Sequence, residues 1–75
     1  MPPLPRRQLA ADFRKAVYAD PRGICRLSQL AGFPAYTHLL RVLRKNWVVV
    51  TPLIDGRLRT LAKAILFTGE VFRGR

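Results

Sequence analysis

Gly32 separates two amphipathic segments, and no other position constrains the fold as tightly. Upstream, Ile24, Leu27, Leu30 and Ala31 recur at helical spacing; downstream, Tyr36, Leu39, Leu40, Val42 and Leu43 do the same. Glycine ends a helix at low cost, because it enters left-handed backbone without a Cβ clash. Phe33 follows directly and is expected to plug between the two helices, and Pro34, with its preset φ and missing donor, is suited to open the second. The pattern predicts helices over residues 24–31 and 34–45, with a turn near 32–34.

The outward side of the second helix is unusual. At about 100° per residue, Thr37, His38, Arg41, Arg44 and Lys45 fall within one contiguous arc of about 120° that contains no apolar and no acidic residue. Across the chain Lys and Arg number 14 against four Asp and Glu, a net charge of +10, and eleven of the fourteen are Arg. The planar guanidinium fork donates paired hydrogen bonds to phosphates and guanine edges, so the composition favours a polyanionic partner. Two short helices about a tight turn, with a cationic outer face, read as a helix-turn-helix that lays its second helix in the major groove of double-stranded DNA.

Around this unit the chain is expected to form a single domain over residues 6–75, preceded by a flexible proline-rich arm at residues 1–5. A first helix should begin near Arg6 and stop before Pro21, burying Leu9, Phe13, Ala16 and Val17 and leaving Arg6, Arg7, Arg14 and Lys15 wet. Residues 20–23 read as a turn, and Asn46 as a left-handed stop. Residues 47–50 form an apolar connector. Thr51 and Pro52 are a cap and first turn for a fourth helix over residues 52–67, with Ile54, Leu58, Leu61, Ala62, Ile65 and Leu66 inward. Gly56 within it costs about 1 kcal/mol. The expected fold is all-α, a four-to-five-helix bundle; the alternative is a winged helix-turn-helix with a small β-hairpin at residues 47–61.

Several function classes drop out. One cysteine, Cys25, forms no internal disulfide and no Cys-pair metal site, and is expected to be a small buried residue in a reducing cytoplasm. No apolar run approaches the ~18–20 residues needed to cross a bilayer. The opening MPPLPRR lacks the apolar core of a signal peptide, so export is not expected. His38 is the sole histidine, and neither Asp12, Asp20, Asp55, Glu70 nor Cys25 forms a recognisable catalytic pairing with it. No enzyme activity, cofactor, metal, small-molecule ligand or membrane partner is expected, and the location should be the cytoplasm, at the nucleoid.

SQLAGF at residues 28–33, THLLRVLRKN at 37–46 and TPLIDGRLRTLAKAILFTGEVF at 51–72 together resemble the phage-repressor/Cro-type helix-turn-helix regulators. The resemblance implies a compact four-to-five-helix DNA-binding fold and a phage or other mobile-element origin. Two positions depart from that pattern: Ser28 stands where a small residue, often Ala, is usual, and His38 where an aliphatic is usual, the aliphatic arriving at Leu39. This suggests a turn longer by one residue. The GF-x3-T-x-L spacing from Gly32 to Leu39 is also similar to the second helix-turn-helix of arabinose-regulator-type activators, which have a Thr-Pro shortly afterwards.

In this docking mode Thr37 and His38 are candidates for base edges or nearby phosphates, Arg41 for reading guanine, and Arg44 and Lys45 for phosphates. Tyr36 is either a packing residue or a phosphate donor. Ser28 and Gln29, with Arg22 and Arg26, could touch the backbone from the helix before the turn. Arg6 and Arg7 could reach a minor groove from the arm, and Arg57, Arg59 and Lys63 are expected away from DNA. The expected function is sequence-specific transcriptional regulation, as a repressor on an inverted repeat. One short reading helix is too little for selectivity, so a homodimer is expected, with Trp47, Val48, Val49, Val71 and Phe72 as its apolar surface. The competing readings are a protein-interaction module, such as an antitoxin or phage inhibitor, and a basic RNA-binding protein.

Overall fold

The computed structural model describes residues 5–73. In chain order these form β1 (Arg6–Arg7), α1 (Ala11–Ala19), α2 (Gly23–Ala31), α3 (Tyr36–Arg44), β2 (Val48–Val49) and α4 (Pro52–Ala64). The architecture is mostly helical, with one small antiparallel sheet.

Local chemistry sets the helix ends. α1 stops where Asp20 turns extended ahead of Pro21. The Asp20 carboxylate then accepts the Arg22 backbone N–H at 2.9 Å, and Gly23 takes φ +85° to open α2. α2 ends in a Schellman arrangement: Gly32 at φ +84° donates to the Gln29 carbonyl at 3.2 Å, and Phe33 donates to that of Ser28 at 2.9 Å. The Thr51 hydroxyl oxygen caps α4 by accepting from Ile54 N–H at 3.1 Å, and Pro52 fills the first turn.

α2 lies at the centre, packed most extensively against α3 and α4 and less against α1. The core joins Phe13 and Val17 of α1, Leu27 and Ala31 of α2, Phe33 of the turn, Leu39, Val42 and Leu43 of α3, and Leu58, Leu61 and Ala62 of α4, with Leu9, Val48 and Phe72 closing one side. Phe67 meets Phe13 edge to face at 5.4 Å.

The first helix begins at Ala11 rather than near Arg6, because the preceding chain is taken by strand pairing. Arg6 pairs with Val49 and Arg7 with Val48, and Val50 N–H bonds to the Pro5 carbonyl at 2.9 Å. On its other side the segment bridges Leu9 to Phe72, flanked by bonds from Ala10 N–H to Val71 and from Arg73 N–H to Gln8. Arg6 and Arg7 are thus not on a free arm; the Arg7 guanidinium sits 5.0 Å over the Phe72 ring. Residues 1–4 of the expected arm lie outside the described residues.

Other expectations also give way. A hairpin over residues 47–61 does not form: β2 finds its partner in β1, and residues 57–61 are inside α4. α3 starts at Tyr36, two residues after Pro34, since extended Ala35 supplies the first helical carbonyl, to His38 N–H. Asn46 is not left-handed; Lys45 runs extended into β2 instead. α4 ends at Ala64 through a second Schellman arrangement, with Leu66 at φ 58° and Phe67 N–H bonded to the Ala62 carbonyl at 2.8 Å. That conformation turns Leu66 outward, 86% exposed, against its expected place in the core. Leu30 is likewise exposed, and Cys25 is exposed rather than buried, because both lie off the stripe that α2 turns inward. Of the five residues expected as a dimer surface, Val48 and Phe72 are buried and Val71 half-buried, which leaves Trp47 and Val49 outside. Among the described residues no helix is long and apolar enough to cross a membrane.

Candidate nucleic-acid interface

α3 separates its apolar from its polar residues more sharply than the other three helices. Leu39, Val42 and Leu43 are buried, which fixes the helix's rotation about its own axis. Thr37, His38, Arg41, Arg44 and Lys45 consequently all stand exposed on the opposite side. Thr37, Arg41, Arg44 and Lys45, together with the half-buried Leu40, line one shallow depression of about 380 Å³. Tyr36, about half exposed, sits in the first turn beside them.

The far end of α3 is held from another helix. Arg14 of α1 donates from Nη2 to the Lys45 carbonyl at 2.7 Å, satisfying one of the acceptors that a helix C-terminus leaves open. Its Nε is buried without a partner, which shows how closely the guanidinium is packed there. Sequence reading placed Arg14 only on the wet side of α1. No local signal reports a bond across 31 residues of chain.

The distribution of carboxylates sharpens the contrast. Among the described residues there are two ion pairs, Asp20 with Arg22 and Asp55 with Arg59, each at 2.9 Å, and neither touches α3. Arg22, expected to contact phosphate, is already engaged: it holds Asp20 and donates to the Ala64 carbonyl at 2.8 Å, tying the start of α2 to the end of α4. Hydrogen bonds from Arg22, side chain first and then backbone, hold the Asp20 carboxyl below the ordinary carboxylate range, and the same pairing raises the Arg22 pKa. Arg26 and Gln29 are exposed on α2 and bonded to each other at 3.3 Å.

Ser28 is a correction. It is 2% exposed, and its hydroxyl donates to the Cys25 carbonyl at 2.7 Å, so it cannot reach a backbone outside. The signal was present in the sequence: Ile24, Leu27 and Ala31 put position 28 on the same stripe at i+4. Trp47 is 56% exposed. Arg57 lies over the Phe33 ring at 5.4 Å, and Arg59 is paired, which sets both apart from the α3 cations.

A larger open cleft of about 800 Å³ lies between the start of α1 and residues 67–73, and its lining carries Asp12 and Glu70, two of the four acids, together with Arg14 and Arg73. Acids and arginines balance in that cleft, whereas the smaller depression is lined by cations and no acid, so volume is no guide to the interface here. No group of three or more His, Cys, Asp or Glu that could hold a metal lies among the described residues. What the α3 face can do chemically is donate: hydroxyl, imidazole, two guanidinium and one ammonium groups converge on a strip one helix wide. Comparison with protein families, with characterised proteins and with solved structures finds no match to this chain.

Proposed function

We propose that this protein is a sequence-specific double-stranded DNA-binding regulator of transcription, a helix-turn-helix built from α2, residues 32–35 and α3. One observation carries the reading: in α3 the cations are exposed, aligned and free of any carboxylate partner among the described residues. Cations that stabilise a fold are usually compensated by neighbouring acids; cations arrayed without them are available to displace counterions from phosphates.

Arg41, in mid-face, reads a guanine through O6 and N7. Thr37 and His38 meet base edges or adjacent phosphates, and Arg44 and Lys45 grip phosphates without reading sequence. A nine-residue helix is about 14 Å long and covers few base pairs. Selectivity therefore calls for two symmetric copies, reading half-sites roughly 34 Å apart, and the protein acts as a repressor on an inverted repeat. Of the expected dimer surface, Trp47 and Val49 remain exposed to supply it.

The test is selection of duplexes from a random pool, followed by gel shift. An enriched inverted repeat should shift at moderate salt while a scrambled duplex and a structured RNA do not. Equal shifts for all three, or none, would remove the proposal.

A further inference from the structure

Leu40 is out of keeping with its surroundings. It borders the polar arc of α3, half-buried, and lines the same depression as Thr37, Arg41, Arg44 and Lys45. It is not among the partly buried apolar residues that pack against the core, a group that includes Ile24, Ile54 and Val50. The core contact of α3 is supplied by Leu39, Val42 and Leu43. An aliphatic side chain that serves no core and is ringed by hydrated polar heads gains most when a ligand covers it with something apolar.

Resting on the reading of α3 as the element in the groove, we infer that Leu40 is a specificity-determining residue that reads thymine. The edges of base pairs in the major groove offer donors and acceptors throughout, and one apolar feature, the C5 methyl of thymine. Leu40 and Arg41 are consecutive on α3, about 1.5 Å apart along its axis and about 100° apart around it, and both line the depression. Each half-site therefore contains a thymine read by Leu40 as well as the guanine read by Arg41. Thr37 also carries a methyl group on this face, so the experiment must separate the two.

The experiment uses the duplex that the intact protein enriches from a random pool, with each thymine replaced in turn by deoxyuridine, which lacks only the methyl. One position per half-site should lose about fourfold in affinity, the worth of one buried methyl group. Leu40→Ala should bind the thymine and uracil duplexes equally, while Leu40→Met and Thr37→Ser should keep the discrimination. Should Leu40→Ala fail to fold, judged by circular dichroism, the Leu40→Met and Thr37→Ser arms still decide. A clear enriched consensus in which no thymine is sensitive would overturn the role of Leu40 and leave the DNA-binding reading standing. Loss of discrimination in Thr37→Ser would overturn it too, in favour of the Thr37 methyl. Failure to enrich any consensus would overturn both readings.

Discussion

α3 with its C-cap residue Lys45, and α4, each carry three cations, yet they use them differently. On α4, Arg59 is paired with Asp55 one turn earlier and Arg57 lies over the Phe33 ring, while Lys63 stands exposed in the last turn. On α3, Arg41 and Arg44, with Lys45 at the C-cap, face outward with no acid on the helix at all. The four carboxylates sit on α1, in the turn after it, on α4 and in the tail. The comparison teaches that a net charge of +10 is not itself a binding site. What matters is where the few acids were spared, since there the field of the cations reaches outward uncancelled.

If the division of labour is right, substitutions on α4 act on stability and those on α3 act on binding. The largest effect is expected for Leu58→Ala, at a fully buried position where α4 packs: about 3 kcal/mol lost in urea unfolding, enough to threaten so small a domain. Arg41→Ala should lower affinity for the enriched duplex by about tenfold or more and relax preference at one base, with thermal stability unchanged. Arg59→Ala, its counterpart on α4, should alter affinity less than about twofold, since an exposed i,i+4 pair contributes only a few tenths of a kcal/mol to the fold. An Arg59→Ala effect as large as that of Arg41→Ala, measured by titration, breaks the comparison.

Smaller effects sharpen it. Lys45→Ala should weaken every duplex alike and flatten the salt slope by about one, the signature of a lost phosphate contact. Gly56→Ala should raise stability by about 1 kcal/mol without touching binding, because a Cβ there meets nothing within 4 Å. Leu66→Gly should add about half a kcal/mol, by removing a left-handed leucine that buries nothing. Chemical denaturation of the two variants checks both.

Those last two positions show what sequence could and could not reveal. Two helices end in the same way, with a left-handed residue followed by an inward phenylalanine: Gly32 with Phe33, and Leu66 with Phe67. The first was legible because glycine at that spot has a local reason. The second was not, because leucine there is locally unfavourable and is held by Phe67 packing onto Phe13. The same division runs through the rest. The buried stripes of α1, α3 and α4 and the Thr51 cap follow from spacing within one helix. The strand at Arg6 and Arg7 depends on Val48 and Val49, more than forty residues away, and no local pattern announces such a pairing. At the site, the exposed arc of α3 was readable from its period. The bond from Arg14 that secures its end, and the isolation of Leu40 from the core, required the folded molecule.

The most direct test of the central claim is to titrate the isotopically labelled protein with the enriched duplex and map backbone amide shifts by NMR. The account predicts the largest shifts at Thr37, His38, Arg41, Arg44 and Lys45, with α4 from Arg57 to Lys63 nearly unmoved. Shifts centred on α4, or on the cleft bordered by Asp12 and Glu70, would contradict it.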